Sequence, residues 1–314
     1  MLLRTLFLST CFFLFSCANH SQPPQSFKNE RVLILGDSIT QAGDYVSFME
    51  YYLNKNQPEE NFDLISIGLS SETASGLSEK AHPFPRPCIH ERIQRALDTI
   101  KPSLVFVCYG MNDGIYAPQS KERFDAYKKG IISLQEKIEA SGAKVIFLTP
   151  PLFDIAKKSK SARQLGADDY SYKNPYTDYN EVLRDYGQWL METSSHPVID
   201  LNTPMLRMTE LGRKNNNLFH LTKDGIHPNE LGHLLIAQSI LTKLKILSME
   251  SLAQTKLSDI TQDPLFKLVA QRRQIRSKGW LEFIGYTRGK TVKSNSIDST
   301  EVRVKELQTQ IKAL

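Results

Sequence analysis

The sequence predicts an α/β fold: a five-stranded parallel sheet with helices on both faces, a three-layer α/β/α sandwich, continued by an all-helical C-terminal extension. Three observations carry this. Short apolar runs alternate with helix-length stretches across residues 30–250, the succession of strands joined by helical crossovers. Runs such as Val32-Leu33-Ile34-Leu35 and Leu104-Val105-Phe106-Val107 are apolar throughout, as strands buried on both faces are. After Ser251 the strand-like runs stop and helical spacings remain.

Taken in order, the first strand is Arg31–Leu35, closed by Gly36, and a helix follows near Tyr45–Asn56. The second strand, Phe62–Ile67, ends in Gly68 and leads to a helix near His90–Thr99. The third, Ser103–Tyr109, runs into Gly110-Met111-Asn112-Asp113. A helix at Glu122–Ser141 stops at Gly142, a residue suited to the left-handed cap that ends helices. Strands at Ala143–Thr149 and Pro197–Leu201 alternate with helices at Thr177–Glu192 and Asn229–Leu247. Two loops break the rhythm. His82–Cys88 holds too many prolines for a helix interior, and Pro150–Lys173 carries Lys157, Lys158, Lys160 and Arg163 without periodicity. Both emerge where such a sheet builds its cleft, and long loops in compact domains are often functional.

The extension, residues 251–314, offers Leu257, Ile260, Leu265, Leu268, Val269 and Ile275 as one helical series, followed by Trp280–Ile284. Val304, Leu307, Ile311 and Leu314 form another apolar stripe. Both need a surface to dock on. From Leu252 onward there are twelve Lys and Arg against six Asp and Glu, whereas Cys17–Ser251 is close to neutral. That excess reads as a solvated helix face or as a surface leaning on anionic groups.

The N-terminus stands apart from the core. Arg4, the apolar stretch Leu6–Phe15 and a small residue form a secretory signal, too short for a spanning helix. Leu14-Phe15-Ser16-Cys17 resembles a bacterial lipobox, in which cleavage leaves a lipid-modified cysteine. The division expected is a lipoprotein signal peptide at 1–16, a flexible tether at 17–29, a catalytic domain at 30–250 and the helical extension at 251–314. On this reading the partner is a bacterial membrane, and the protein is exported and anchored on the periplasmic or cell-surface side. The alternative is an ordinary signal whose cysteine is incidental. With Cys11 removed and Cys17 lipidated, Cys88 and Cys108 remain. A bridge between them is open in an oxidising compartment, against the alternative of a buried free thiol at Cys108. No Cys/His cluster has metal-ligand spacing, so no metal and no cofactor is expected.

The chemistry starts at Ser38, on the turn after the first strand, at the carboxyl edge where open α/β sheets bind ligands. A serine needs a base to become a nucleophile. Asp224-Gly225-Ile226-His227 supplies one, with an aspartate three residues before the histidine to fix its tautomer. Asn112, after the third strand, can aim an amide at a developing oxyanion, and the N–H groups of Gly68 and Ser38 complete a set of donors. Asp37 and Asp113 adjoin these residues but read as carboxylates that tie down their own turns. His220 and His233 read as structural.

The blocks Gly36-Asp37-Ser38, Gly110-Met111-Asn112-Asp113 and Asp224–His227, in this order, resemble the SGNH hydrolases, also called the GDSL esterase/lipase family. Ile67-Gly68-Leu69-Ser70 fits the family's glycine block loosely. The resemblance covers residues 30–245. It implies a flavodoxin-like SGNH fold and a serine esterase working through an acyl-enzyme, with Ser38, Asp224 and His227 catalytic and Ser38, Gly68 and Asn112 forming the oxyanion hole. In the family, loops at the sheet edge shape the substrate pocket, which makes His82, Arg86, Tyr109 and Tyr116 candidate substrate contacts. Their polar and aromatic character favours a short acyl group on a carbohydrate. The alternatives are a lysophospholipase- or thioesterase-type acyl hydrolase, and a non-catalytic glycan-binding module of the same fold. A nucleotide-binding protein would need a Gly-x-Gly-x-x-Gly or Gly-x4-Gly-Lys-Ser/Thr loop, and neither is present. No nucleic-acid partner is expected.

Overall fold

The computed structural model describes residues 27–248, 256–285 and 296–314. The signal peptide, Cys11, Cys17 and nearly all of the tether lie outside the described residues. Five strands form one parallel sheet: β1 (Arg31–Gly36), β2 (Asp63–Ser66), β3 (Leu104–Cys108), β4 (Lys144–Leu148) and β5 (Val198–Ile199), in the order β2-β1-β3-β4-β5. Each falls within about two residues of its predicted span; strand ends are where such boundaries blur. Val32, Leu33, Ile34 and Leu35 point alternately to the two faces, yet none is more than 1% exposed, so both faces of the sheet are covered.

The strand order fixes where a ligand belongs. From β1 the chain goes to β2 on one side and then to β3 on the other. The crevice between the carboxyl ends of β1 and β3 is the switch point of this 2-1-3-4-5 topology. Ser38 follows β1 and Asn112 follows β3, so the two flank that crevice.

Seven helices accompany the sheet among the described residues up to 248: α1 (Ser38–Ala42), α2 (Asp44–Asn56), α3 (Ile93–Ile100), α4 (Lys121–Ala140), α5 (Tyr179–Thr193), α6 (Asn202–Asn215) and α7 (Glu230–Lys243). Helix α4 begins on a Ser120 cap, its side chain accepting the N–H of Arg123, and α7 on Asn229, which accepts that of Gly232. The sequence pattern misses two of the seven. The short α1 turns the nucleophile loop into a helix start. In α6, Pro204 and Gly212 interrupt the apolar spacing, and Met208 and Leu211 stay exposed.

The extension docks on the catalytic domain. Helix α8 (Leu257–Gln262) leads into α9 (Pro264–Ile284), which packs on α2 and β2, and α10 (Asp298–Lys312) packs on α9. Val304, Leu307 and Ile311 are buried as their spacing predicts, but Leu314, at the end of the stripe, is exposed. The basic excess is only partly a solvated face. Arg272 pairs with the fully buried Glu50, Arg276 with Asp63, and Arg273 bonds Ser47 at 3.0 Å and Asp44 at 3.3 Å. These three arginines face inward, into acids of α2 and β2. Phe266 stacks on Phe48 at 4.8 Å beside them.

Candidate active site

Asp37 caps α1: its Oδ1 accepts the N–H of Ile39 at 2.9 Å, which makes Ser38 the first residue of the helix rather than a turn residue. First-turn N–H groups have no intrahelical acceptor, and among the described residues nothing takes that of Ser38. Helix α1 ends at Gly43, with φ +68°, and the chain turns there into α2.

His227 reaches Ser38 from the loop before α7. Its Nε2 lies 2.9 Å from Ser38 Oγ and its Nδ1 2.8 Å from Asp224 Oδ2. Asp224 Oδ1 accepts the N–H groups of Ile226 at 3.0 Å and His227 at 2.8 Å, so one carboxylate folds the loop and orients the ring. Burial pushes the Asp224 carboxyl up, but these hydrogen bonds outweigh it and hold it well below the usual carboxylate range. The same bond to Asp224 raises His227 above the ordinary histidine value, against burial.

His220 and Asp154 brace this loop from behind. His220 Nδ1 and Arg213 Nη2 both meet Asp154 Oδ2, at 2.9 and 2.6 Å, while Asp154 N–H donates to Gly225 O at 2.8 Å. His220 is thus structural, as its sequence context suggests. So is His233, which is buried against Tyr45 and pushed down to about 3, first by burial.

The opposite wall holds Gly68 and Asn112. Gly68 sits where the backbone of α1 comes closest: a Cβ there would lie 2.3 Å from Gln41 N. Its neighbours are pinned along β1, Ile67 N–H on Ile34 O at 3.0 Å and Leu69 N–H on Gly36 O at 2.9 Å. Among the described residues its own N–H meets no protein acceptor. Asn112 is 4% exposed. Its Nδ2 donates to Glu72 O at 3.2 Å, and its Oδ1 accepts from Arg86 Nη1 at 2.9 Å and from the Tyr116 hydroxyl at 3.1 Å.

A cleft of about 250 Å³ opens on Ser38, Asn112 and His227 and is lined further by Ser70, Ser71, His82, Arg86, Tyr116 and Tyr172 together with the apolar Pro83, Phe84 and Ile226. Of the four anticipated substrate contacts, His82, Arg86 and Tyr116 line this cleft, and Tyr109 does not. The Tyr109 ring is 1% exposed and its hydroxyl donates to Glu72 at 2.6 Å, because the buried Glu72–Arg92 pair needs its remaining acceptor satisfied. Arg86 is a wall of the cleft rather than a free cation: its side chain is 2% exposed and forks onto Glu79 at 2.6 and 2.7 Å.

Asp113 does more than tie down its own turn. Its Oδ1 accepts the N–H groups of Ala74 and Ser75 at 2.9 and 2.7 Å, joining the Asn112 loop to the one after β2, while its carboxylate also feels the Gly110 backbone of its own turn. Glu72, Glu79 and Arg92 escaped sequence reading. The spacing of Glu79 and Arg86 across a proline loop carries no periodic signal, and acids facing arginines show only in three dimensions. Cys88 and Cys108 are both free thiols, Cys108 buried. Among the described residues no group of His, Cys, Asp and Glu is placed to hold a metal.

Such an open parallel sheet, with a serine, histidine and aspartate in line at its switch point, belongs with the α/β ester hydrolases. The family profile of GDSL-like lipases and acylhydrolases matches residues 34–235, and the chain belongs to that family; it is a carboxylic ester hydrolase. Among solved structures, a gut microbial diltiazem-metabolizing enzyme is 20% identical with a TM-score of 0.52, over 74% of this chain and 50% of that one. This chain therefore spans half the length of that enzyme. A catalytic mutant of Axe2, an acetylxylan esterase from Geobacillus stearothermophilus, is 19% identical with a TM-score of 0.51, over 70% of this chain and 96% of the other. At these identities the likeness is one of fold. No curated protein matches the chain.

Proposed function

We propose that this protein hydrolyses short-chain, acetyl-type esters of carbohydrates through an acyl-enzyme on Ser38. The observation that carries the chemistry is the unbroken line Ser38 Oγ–His227–Asp224, at 2.9 and 2.8 Å. Ser38 Oγ attacks the ester carbonyl as His227 Nε2 takes its proton. The oxyanion is received by the N–H groups of Ser38 and Gly68 and the amide of Asn112. His227 gives its proton to the leaving alcohol. A water, deprotonated by His227, then attacks the acyl-serine, the carboxylic acid leaves, and Ser38 recovers its proton.

The cleft favours a short acyl group. Beside Asn112 it is lined by Arg86 and Tyr116, both buried and hydrogen-bonded, and further by Ser70, Ser71, His82 and Tyr172, with Pro83, Phe84 and Ile226 as short apolar patches rather than a long aliphatic groove. Each buried methylene stabilises a bound acyl chain by about 0.8 kcal/mol only where an apolar groove receives it. The hydroxyls and rings in this lining suit a sugar alcohol, and an acetylxylan esterase shares the fold. A hydrolysis panel tests this: kcat/KM on acetylated oligosaccharides and on aryl esters of increasing acyl length should fall beyond acetyl. A steady rise with chain length moves the reading to a lysophospholipase or thioesterase type.

We also infer export and membrane anchoring through a lipid on Cys17. Mass spectrometry should find a mature chain starting at Cys17 with an acyl mass, and an unmodified N-terminus elsewhere rejects it.

A further inference from the structure

Arg86 was a candidate substrate contact, but its hydrogen bonds describe another task. Arginine has five N–H donors and no acceptor. Here Nε and Nη2 hold Glu79 at 2.6 and 2.7 Å, and Nη1 reaches Asn112 Oδ1 at 2.9 Å and Ser71 O at 3.4 Å. Three of the five donors are therefore held at 2.6–2.9 Å inside the protein, and a fourth makes only the longer contact to Ser71 O. The guanidinium also lies 5.6 Å from the centroid of the Tyr116 ring, whose hydroxyl is the second donor to Asn112 Oδ1.

This arrangement decides which way Asn112 points. The two ends of a carboxamide are nearly isosteric, and only the partners distinguish them. A guanidinium cannot accept, so the oxygen must face Arg86 and the nitrogen must face away from it, toward Glu72 O and Asp37. With both Oδ1 lone pairs filled and one Nδ2 hydrogen on Glu72 O at 3.2 Å, the remaining Nδ2 hydrogen has, among the described residues, only Asp37 Oδ2 at 3.5 Å as a hydrogen-bond partner. At that distance the contact is weak, and the hydrogen is left for an incoming oxyanion. A charged donor on Oδ1 also draws density from the nitrogen, making Nδ2–H a stronger donor.

We propose that Arg86, with Glu79 as its buried counter-ion, is a positioning residue that fixes the orientation and polarity of the Asn112 amide for transition-state stabilisation. This rests on Asn112 being an oxyanion donor, which its own variant tests separately. The proposal differs from a substrate-binding role in what it does to kcat and KM and in its dependence on Asn112.

The experiment is a double-mutant cycle on an aryl acetate with the purified protein. Asn112→Ala should lower kcat by roughly 10²- to 10³-fold. Arg86→Lys keeps a charge beside Glu79 but lacks the separate arm that reaches Asn112 while the fork holds the acid. It should lower kcat by roughly 10- to 100-fold, the scale for losing an orienting partner, with KM little changed. In the Asn112→Ala background the same change should cost no more than about twofold, because its target is gone. Arg86→Met combined with Glu79→Met, which leaves no unpaired carboxylate, should reproduce this pattern. Equal losses in both backgrounds, or a raised KM at unchanged kcat, overturn the proposal and return Arg86 to substrate binding. An unchanged kcat in Asn112→Ala alone overturns the role of Asn112 beneath it.

Discussion

The two walls of the cleft are built by opposite means. The proton-handling wall is local and open: Asp224 and His227 are three residues apart, with side chains 44% and 39% exposed, and one carboxylate both folds the loop and aims the ring. The wall proposed to stabilise charge is assembled from far apart in sequence and is buried. Asn112 is held by Arg86 from 26 residues away and by the backbone of Glu72 from 40 away. Behind it stand two buried carboxylate–guanidinium pairs, Glu79–Arg86 and Glu72–Arg92. Arg92 also bonds Ile67 O at 2.8 Å, next to Gly68, so each pair backs one of the proposed oxyanion donors.

The difference follows from what each wall does. A base that takes a proton and gives it back must change charge within each turnover, which partial exposure to water tolerates. A donor set for an oxyanion works best preorganised, where no water competes and nothing reorients as charge develops. Buried ion pairs add little net stability, but they resist rearrangement, since stripping one partner leaves an uncompensated charge costing about 3–5 kcal/mol.

The largest effect should come from Ser38, which both walls serve. Ser38→Ala should lower kcat by about 10⁶-fold, the scale seen when a triad nucleophile is removed, and abolish fluorophosphonate labelling. The fold should be unchanged, because Ser38 is the partly buried first residue of α1, outside the hydrophobic core. Labelling that survives in this variant would put the nucleophile elsewhere and dissolve the comparison.

Asp224→Asn separates the walls. It should lower kcat on the order of 10⁴-fold, because the neutral amide no longer enforces the productive tautomer. It should also move the pH profile. His227 acts as a base only when neutral, so activity rises with pH through its pKa, which the bond to Asp224 raises above the ordinary value. Removing that bond leaves burial, which lowers it, so the limb should shift to lower pH. A limb that stays put would mean that another group sets the profile.

How much of this was legible follows the same division. Asp224-x-x-His227 announces itself because its hydrogen bonds span three residues, and Ser38 because a glycine turn after an apolar strand marks a sheet edge. The parallel sheet was legible because strands buried on both faces have no polar alternation. Glu72, Glu79 and Arg92 were silent, Tyr109 turns out to pack against Glu72 outside the cleft, and the buried partner of Arg86 could not be foreseen. A buried arginine and a solvent-facing one look alike until the partner acid is seen. The inward-facing Arg272, Arg273 and Arg276 of α9 repeat the point: their charge reads as a surface until Glu50, Asp44 and Asp63 appear opposite.

The smallest expected effect sharpens the contrast most. Lys158, on the loop after β4, lowers the His227 pKa by charge alone, opposing Asp224. Lys158→Ala should therefore shift the rising limb slightly to higher pH and leave the plateau kcat unchanged, since the lysine touches neither Ser38 nor the oxyanion donors. Interactions between partly exposed groups are screened over about 10 Å at 0.1 M salt and about 3 Å at 1 M. The shift should thus be measurable at low ionic strength and vanish at high. The Arg86→Lys loss should not vanish, because its partners are buried and water and ions do not reach between them. If both effects disappeared together in salt, the oxyanion wall would be as open as the base's, and the distinction between the two walls would fall.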